Sequence, residues 1–301
     1  MSQVQPTVAV VMSTYNGKAF LSKQIESILS QDGVKVRLFV RDDGSTDGTV
    51  DLLRSYERKG MLALVQGENV GVAASFIAGI SAVPHDVQLI ALSDQDDIWH
   101  PDKLARAVAC IAEKDQSVPQ LYCSEYLFCD DEMRPLGRSH LNLIGVGFST
   151  LLYETKVSGN TIVMNRTLAD MAIAAGARDV YCHDWWLGLL AAAFGELTFD
   201  DFISLDYRRI RGSVSPTGAN AVTLLRYRIK TFLNREELSK ITAQLRRFYD
   251  AWGNRLPSEK KKLTERFLFG SRFAKAFAPV RLRQIMSEEI ALRVLFLAGL
   301  L

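Results

Sequence analysis

The sequence has no pair of cysteines at metal-ligand spacing. Cys110, Cys123, Cys129 and Cys182 fall irregularly and form no CxxC, so neither a zinc site nor a disulfide framework is indicated and a reducing compartment is expected. No apolar run reaches the roughly 18 residues that a membrane-spanning helix needs. The opening MSQVQPTVAV lacks a basic segment followed by a long apolar stretch, so no secretory signal is expected. There is no internal repeat and no low-complexity tract. The basic residues form no recognisable nucleic-acid motif, and the apolar residues among them are spaced like buried helix faces, which excludes a nucleic-acid partner. A cytosolic or membrane-peripheral protein is expected.

What is present is ordinary globular material: 301 residues, 48% hydrophobic and 23% charged, enough for a large core or for one domain with an appendage. The net charge of +2 hides an asymmetry. From residue 216 onward there are 17 Lys and Arg against 7 Asp and Glu; residues 1–215 hold 19 against 27. Basic helices packed on an acidic domain explain this, and so does a basic, apolar tail on anionic lipid.

The first hundred residues alternate strand and helix patterns. TVAVVMSTYNG, VKVRLFVRDDGSTDGT, MLALVQG and DVQLIALSDQDD each read as an apolar strand, three of them ending in polar turns. Helical spacing follows in AFLSKQIESILSQ, TVDLLRSYERKG and GVAASFIAGISAV. Four such alternations predict an α/β fold with a mostly parallel sheet flanked by helices. Ligands of such sheets sit beyond the carboxyl ends of the strands, where STYNG, DDGSTDGT and SDQDD all fall. Further on, KVSGNTIVMN and LTFDDFISLDYRRIRGS read as strands, KLARAVACIAE and HDWWLGLLAAAFG as helices. Pro216, Thr217 and Gly218 mark a boundary between a 1–215 domain and a 216–301 helical region, whose first helix presents Val222, Leu225, Ile229, Phe232 and Leu233 on one face.

Four polar stretches carry the candidate chemistry. In RDDGSTDGT, Asp42 and Asp43 sit on a glycine-permitted turn and offer acceptors to a nucleoside base or ribose; Ser45, Thr46 and Asp47 fit an Asx turn capping the next helix. In SDQDD, Asp94 and Asp96 alternate along an extended segment and face one spot, with Asp97 on the other side. Two hard oxygen ligands suit Mg²⁺ or Mn²⁺, with substrate phosphates and water completing the shell. An acidic turn with Asp97 capping the helix from Pro101 is the plainer alternative, and Trp99 is expected to pack. In CHDWW, Asp184 is either a helix N-cap or a general base for an acceptor hydroxyl, with His183 beside it. In DYRRIRGS, one of Arg208, Arg209 and Arg211 suits a diphosphate.

These features, in this order, resemble family 2 glycosyltransferases of the GT-A fold, in particular the bacterial rhamnosyltransferase-like members. The residues that carry the likeness are STYNG (13–17), RDDGSTDGT (41–49), NVGVAASF (69–76), LSDQDDIWHPDKL (92–104), SGNTIVMN (158–165) and HDWW (183–186). The resemblance implies inverting transfer of one sugar from a nucleoside diphosphate donor, dTDP-L-rhamnose or a UDP-hexose. The acceptor it implies is a cell-surface glycan or lipid-linked saccharide at the cytoplasmic face of the membrane. By match, Thr14, Tyr15, Asp42 and Asp43 line the nucleoside pocket, Asp94 and Asp96 are the DxD pair, and Asp184 is the base. Gly159, Asn160 and Thr161 line the sugar or acceptor pocket with His183, and Arg208 or Arg211 meets the leaving diphosphate. The processive signature QxxRW is absent, which implies addition of a single sugar.

One departure stands out. Related members often carry His after the Tyr-Arg pair; here the position is Ile210, which bears on strict metal dependence. Two rivals follow from other classes. A sugar nucleotidyltransferase would show a Gly-rich, Lys-containing phosphate loop, and STYNGK offers one Gly and the lone Lys18. A non-catalytic sugar-binding scaffold on the same fold draws on the Ile210 departure. In the tail, Arg281, Arg283 and Arg293 beside Leu282, Ile285, Leu292, Leu295 and Phe296 suggest a helix lying in an anionic membrane surface.

Overall fold

The computed structural model describes residues 5–209 and 235–301. The elements run β1 (Thr7–Thr14), α1 (Lys18–Leu29), β2 (Lys35–Asp42), α2 (Thr49–Arg58), β3 (Ala63–Gln66), α3 (Val72–Ser81) and β4 (Leu89–Ser93). Then come β5 (Ile98–Trp99), α4 (Lys103–Ala112), β6 (Gln120–Cys129), β7 (Pro135–Arg138), α5 (Phe148–Leu151), a 3₁₀ turn (Gly159–Thr161), β8 (Val163–Asn165), α6 (Arg166–Ala175), α7 (His183–Phe194) and β9 (Glu196–Arg208). The C-terminal helices are α8 (Arg235–Trp252), α9 (Ser258–Phe269), α10 (Arg272–Ala276) and α11 (Met286–Leu297).

The described strands form one sheet in the order β3-β2-β1-β4-β8-β6-β9-β5, with β7 on β6. The β3-β2-β1-β4 half is parallel, as the strand–helix alternation predicts. Beyond β4 the sheet is mixed. β8 runs antiparallel to both β4 and β6, and β5 to β9, while β6 and β9 are parallel. KVSGNTIVMN is only partly strand: its Gly159–Thr161 portion turns before β8 begins.

Side-chain alternation along β1 explains why both sheet faces are covered. Ala9 and Val11 enter one core with α3, α6 and α7; Val8, Val10 and Met12 enter the other with α1, α2 and α4. Phe248 of α8, Phe267 of α9 and Phe296 of α11 join the first core, beside Phe148 and Trp186. The basic region therefore packs on the acidic one.

That packing corrects the expectation for the tail. Leu282, Leu292, Leu295 and Phe296 are buried. Arg283 donates to the Tyr153 carbonyl at 2.7 Å, Arg293 pairs with Glu289, and Arg281 bonds to the Gln284 carbonyl at 3.1 Å. These apolar groups hold the protein's own core, and the three arginines bond within the protein. The residue 216 boundary, Arg211, Ile210 and the expected Val222–Leu233 face lie outside the described residues. Among the described residues no helix is long and apolar enough to cross a membrane.

Candidate active site

The parallel register brings the polar turns to one edge. Thr14 pairs with Asp42, and Met12 with Ser93, so β1, β2 and β4 end together. Two loops are laced there. Asn16 N–H donates to Ser45 Oγ at 2.9 Å, Thr46 N–H to Asn16 Oδ1 at 2.8 Å, and Gly17 N–H to Thr49 Oγ1 at 3.0 Å. Asp47 accepts from the Thr49 N–H and hydroxyl and from the Lys18 N–H, the Asx turn its sequence suggests.

Asp42 and Asp43 stand at the expected edge, and both are buried. Asp42 accepts from the N–H groups of Gly44 and Ser45 and from the Ser45 hydroxyl at 2.6 Å. Asp43 accepts from Val70 and Gly71 N–H at 3.1 and 3.0 Å and pairs with Arg41 at 3.3 Å. Their carboxylates shape the loops around the pocket. Tyr15 projects outward, 49% exposed, while Thr14 is buried.

Gln95, the middle residue of DQD, joins this edge to the acidic turn. Its Oε1 accepts from Thr14 Oγ1 at 2.6 Å and from Tyr15 N–H at 2.9 Å, and its Nε2 donates to the Tyr15 carbonyl. A Cβ on Gly17 would stand 2.1 Å from that Oε1, so a side chain there would displace the Gln95 amide from these bonds. The sequence reading passed over Gln95 because its signal is only its place between two carboxylates.

Asp94 to Asp97 form a bend rather than strand. Asp97 turns inward, accepting from Asn160 Nδ2 at 2.6 Å and from Arg208 N–H at 3.3 Å. It does not cap the following helix, whose N-cap is Asp102. Among the described residues no other residue donates to the carboxylates of Asp94 or Asp96; Asp96 has only its own backbone N–H. Burial pushes the Asp94 carboxyl up to about 7; the charges of Asp96 and then Asp184 add to the push, and Lys103 opposes it. Burial also raises Asp96, against the pull of Arg208.

Beneath the bend lies Lys103, which sequence reasoning left as a helix residue. It has no exposed surface. Its Nζ donates to the Asn160 carbonyl at 2.8 Å and to Ser204 Oγ at 3.3 Å, and sits 4.5 Å from the centre of the Trp99 ring. Trp99 packs, as expected. Arg208 donates from Nε to the Asp96 carbonyl at 2.9 Å and from a terminal nitrogen to the Asp131 carbonyl at 2.6 Å. It braces the bend and lends Asp96 positive charge.

On the far side α7 starts at an extended Cys182. Asp184 is not the N-cap; it lies inside the first turn. Its Oδ1 accepts from Trp185 N–H at 2.6 Å and from the Cys182 thiol at 2.9 Å, and Oδ2 takes no protein donor among the described residues. Gln244 of α8 accepts from Cys182 N–H at 2.8 Å, so a C-terminal helix braces this turn. His183 stacks on Phe76 with centroids 4.1 Å apart. Among the described residues its buried Nε2 has no hydrogen-bond partner, and burial pushes its pKa down, favouring neutral imidazole. A Cβ on Gly159 would lie 2.7 Å from that Nε2 and 3.6 Å from Asp184 Cβ. Gly159, His183 and Asp184 therefore form one cluster, and Asp184 is close enough to Asp94 to be felt electrostatically. Asn160 and Thr161 are buried and spend their side chains on Asp97 and the Ser158 carbonyl. They hold the turn that Gly159 presents.

The residues fit a divalent ion as a two-carboxylate platform. Asp94 and Asp96 are partly buried, repel each other and, among the described residues, take no donor from another residue, so a cation would relieve them. Among the described residues no third acidic, His or Cys ligand completes the set; substrate phosphates and water would have to.

Residues 9–153 match the family model for glycosyl transferase family 2. This stretch is a family 2 glycosyltransferase domain. The dTDP-rhamnosyl transferase RfbG of Shigella flexneri is 26% identical over 196 residues, which are 58% of this chain and 63% of that relative. The chain superposes on S. aureus TarS 1–349 in complex with UDP-GlcNAc with a TM-score of 0.57 at 16% identity, over 97% of this chain and 87% of that one. The mannosyltransferase PcManGT of Pyrobaculum calidifontis, in complex with GDP-Man and Mn²⁺, gives 0.56 at 18% identity, over 98% and 75%. At these identities the two structures establish the fold, a GT-A-type α/β sheet, and the helical tail falls within the aligned chain.

Proposed function

We propose that the protein is an inverting glycosyltransferase. It moves one sugar, L-rhamnose from dTDP-L-rhamnose in the first instance, to a hydroxyl of a glycan or lipid-linked saccharide at the inner face of the cytoplasmic membrane. The observation that carries the proposal is the proximity of two acidic sites: Asp94 and Asp96 at the end of β4, and Asp184, near enough to Asp94 to be felt electrostatically and with no protein donor to Oδ2 among the described residues. RfbG, which acts as a dTDP-rhamnosyl transferase, motivates the choice of sugar.

Thr14, Tyr15 and the loops fixed by Asp42 and Asp43 hold the nucleoside. Asp94 and Asp96 would hold Mg²⁺ or Mn²⁺, which would supply positive charge to the donor diphosphate. Arg208, with Arg211 from the same stretch, adds charge at the leaving group, where preorganised electrostatics contribute most to such reactions. Asp184 takes the proton of the acceptor hydroxyl at Oδ2, while Trp185 N–H and the Cys182 thiol keep Oδ1 oriented. The acceptor oxygen then attacks the anomeric carbon from the face opposite the diphosphate; the glycosidic bond forms as the bond to the phosphate oxygen breaks. Gly159 and His183 wall the sugar pocket.

The test is release of nucleoside diphosphate from a panel of dTDP- and UDP-sugars with Mn²⁺, Mg²⁺ or EDTA, with and without acceptor saccharides. Metal-dependent turnover of one donor is expected. Neither turnover nor donor binding across the panel would sink the proposal and leave a sugar-binding scaffold.

A further inference from the structure

The C-terminal helices bury one face in the shared core and leave another bare. On α11, Met286, Ile290 and Val294 are 56%, 58% and 57% exposed, and their spacing of four puts them on one stripe. Phe269, Phe273 and Phe277, around α10, are 60%, 57% and 73% exposed. Arg293 of α11 reaches the carbonyls of Lys275 and Ala276 at 2.8 and 3.3 Å, which draws the end of α10, and Phe277 with it, against α11. Six large apolar side chains more than half exposed in one short region are far from the single scattered residues usual on a soluble surface.

The charges around them are mostly basic. From residue 262 to the end the carboxylates are Glu265, Glu288 and Glu289. Tyr249 donates to Glu265 at 2.6 Å, Arg283 pairs with Glu288 at 3.2 Å, and Arg293 pairs with the buried Glu289. The cations Lys262, Arg266 and Arg272 are exposed. The Arg272 guanidinium lies 5.2 Å from the centre of the Phe273 ring, so cation and apolar group share one spot.

We infer that this face docks on an anionic lipid surface, with the phenylalanines and the α11 stripe entering the interface and Lys262, Arg266 and Arg272 meeting the headgroups. A second copy of the chain is the poorer occupant, because an isologous contact would set these cations against themselves. The inference rests on the membrane-peripheral location proposed above but needs no sugar donor, so its test fails or succeeds separately from glycosyl transfer.

Flotation of the full chain with vesicles, of phosphatidylcholine alone and of equimolar phosphatidylcholine and phosphatidylglycerol, tests it. Binding is expected to the anionic vesicles, weakening with salt. Phe273→Ser with Phe277→Ser should weaken it by about tenfold or more. Arg266→Glu with Arg272→Glu should weaken it and flatten the salt dependence. Both variants should keep the wild-type thermal melt. Equal binding to neutral vesicles, or binding untouched by the phenylalanine pair, would overturn the inference. So would a dimer in sedimentation that the phenylalanine pair breaks, since that would give the face to a second copy.

Discussion

Lys103 Nζ donates to the Asn160 carbonyl across 2.8 Å, from a side chain with no exposed surface. The bond ties the start of α4 to the turn that faces Asp184. The same ammonium feels the charges of Asp97 and Asp94, while burial pushes its pKa down to about 7. A protein cation is thus already built in beneath the acidic bend. Lys103→Met removes it and leaves buried carboxylates without compensation. The expected loss in unfolding free energy is about 3 kcal/mol, read from the urea midpoint at unchanged m-value. A midpoint at the wild-type position would remove Lys103 from this role.

Gly159 is predicted to tolerate no side chain. Its added Cβ would sit 2.7 Å from His183 Nε2, and His183 is pinned by its stack on Phe76. Gly159→Ala must therefore move the imidazole, and Asp184 with it. Turnover should fall by about tenfold or more, as misplaced reacting groups do. In a cycle with His183→Ala the two changes should be strongly non-additive. Additive effects would mean that the two residues act apart.

Asp184→Asn keeps the shape of the side chain and removes its basicity. Turnover should drop by about 10²–10⁴-fold, with donor binding by calorimetry unchanged. Near-normal turnover would reduce Asp184 to a brace for the first turn of α7.

Much of this was legible in the sequence, for physical reasons. The β1–β4 half is local: each strand is an apolar run, and each helix has its own period. The mixed half was less so, because β8 is three residues long and takes its direction from β4 and β6, not from its own pattern. Asp94, Asp96 and Asp184 were readable as acids in a polar turn. The work of Asp42, Asp43, Asp97 and Asn160 was not, since partners such as Val70 and Arg208 lie far along the chain. Lys103 and Gln95 were invisible as site residues because each looks like an ordinary loop or helix residue until the fold closes over it. The tail misled for a related reason: Leu282 and Phe296 lie in a basic, apolar run, and only packing shows which apolar residues are spent.

Gln95 is predicted to govern donor affinity. It hooks Thr14 and Tyr15 to the bend that bears Asp94 and Asp96. Gln95→Ala loses bonds worth about 1 kcal/mol each, so the donor KM should rise by about fivefold to thirtyfold with a smaller change in kcat. A fall in kcat at constant KM would place Gln95 in the chemical step instead.

Asp94 gives the protein without metal a signed dependence on pH. Its carboxyl, ordinarily near 3.8, is pushed up to about 7 by burial and then by the charges of Asp96 and Asp184. Between those two values the folded chain holds a proton that the unfolded chain has already released. The Asp94 contribution to stability therefore falls as pH rises through this window, by up to about 1 kcal/mol per pH unit, and is constant above it, while Lys103 and His183, both pushed down by burial, contribute in the opposite sense. Asp97, raised in the same sense by its burial, adds to the slope. In EDTA the melting temperature of the wild type relative to Asp94→Asn isolates the Asp94 contribution and should be lower at pH about 8 than at pH about 5.5. Asp94→Asn, which carries no charge at either pH, should lack this contribution and melt above the wild type at the higher value. Binding Mn²⁺ should raise the wild-type melt most at the higher pH, where the carboxylates are ionised, and leave Asp94→Asn nearly unmoved. A variant that melts below the wild type at both values would show that Asp94 stabilises the fold, and the acidic bend would then be structural rather than a cation platform.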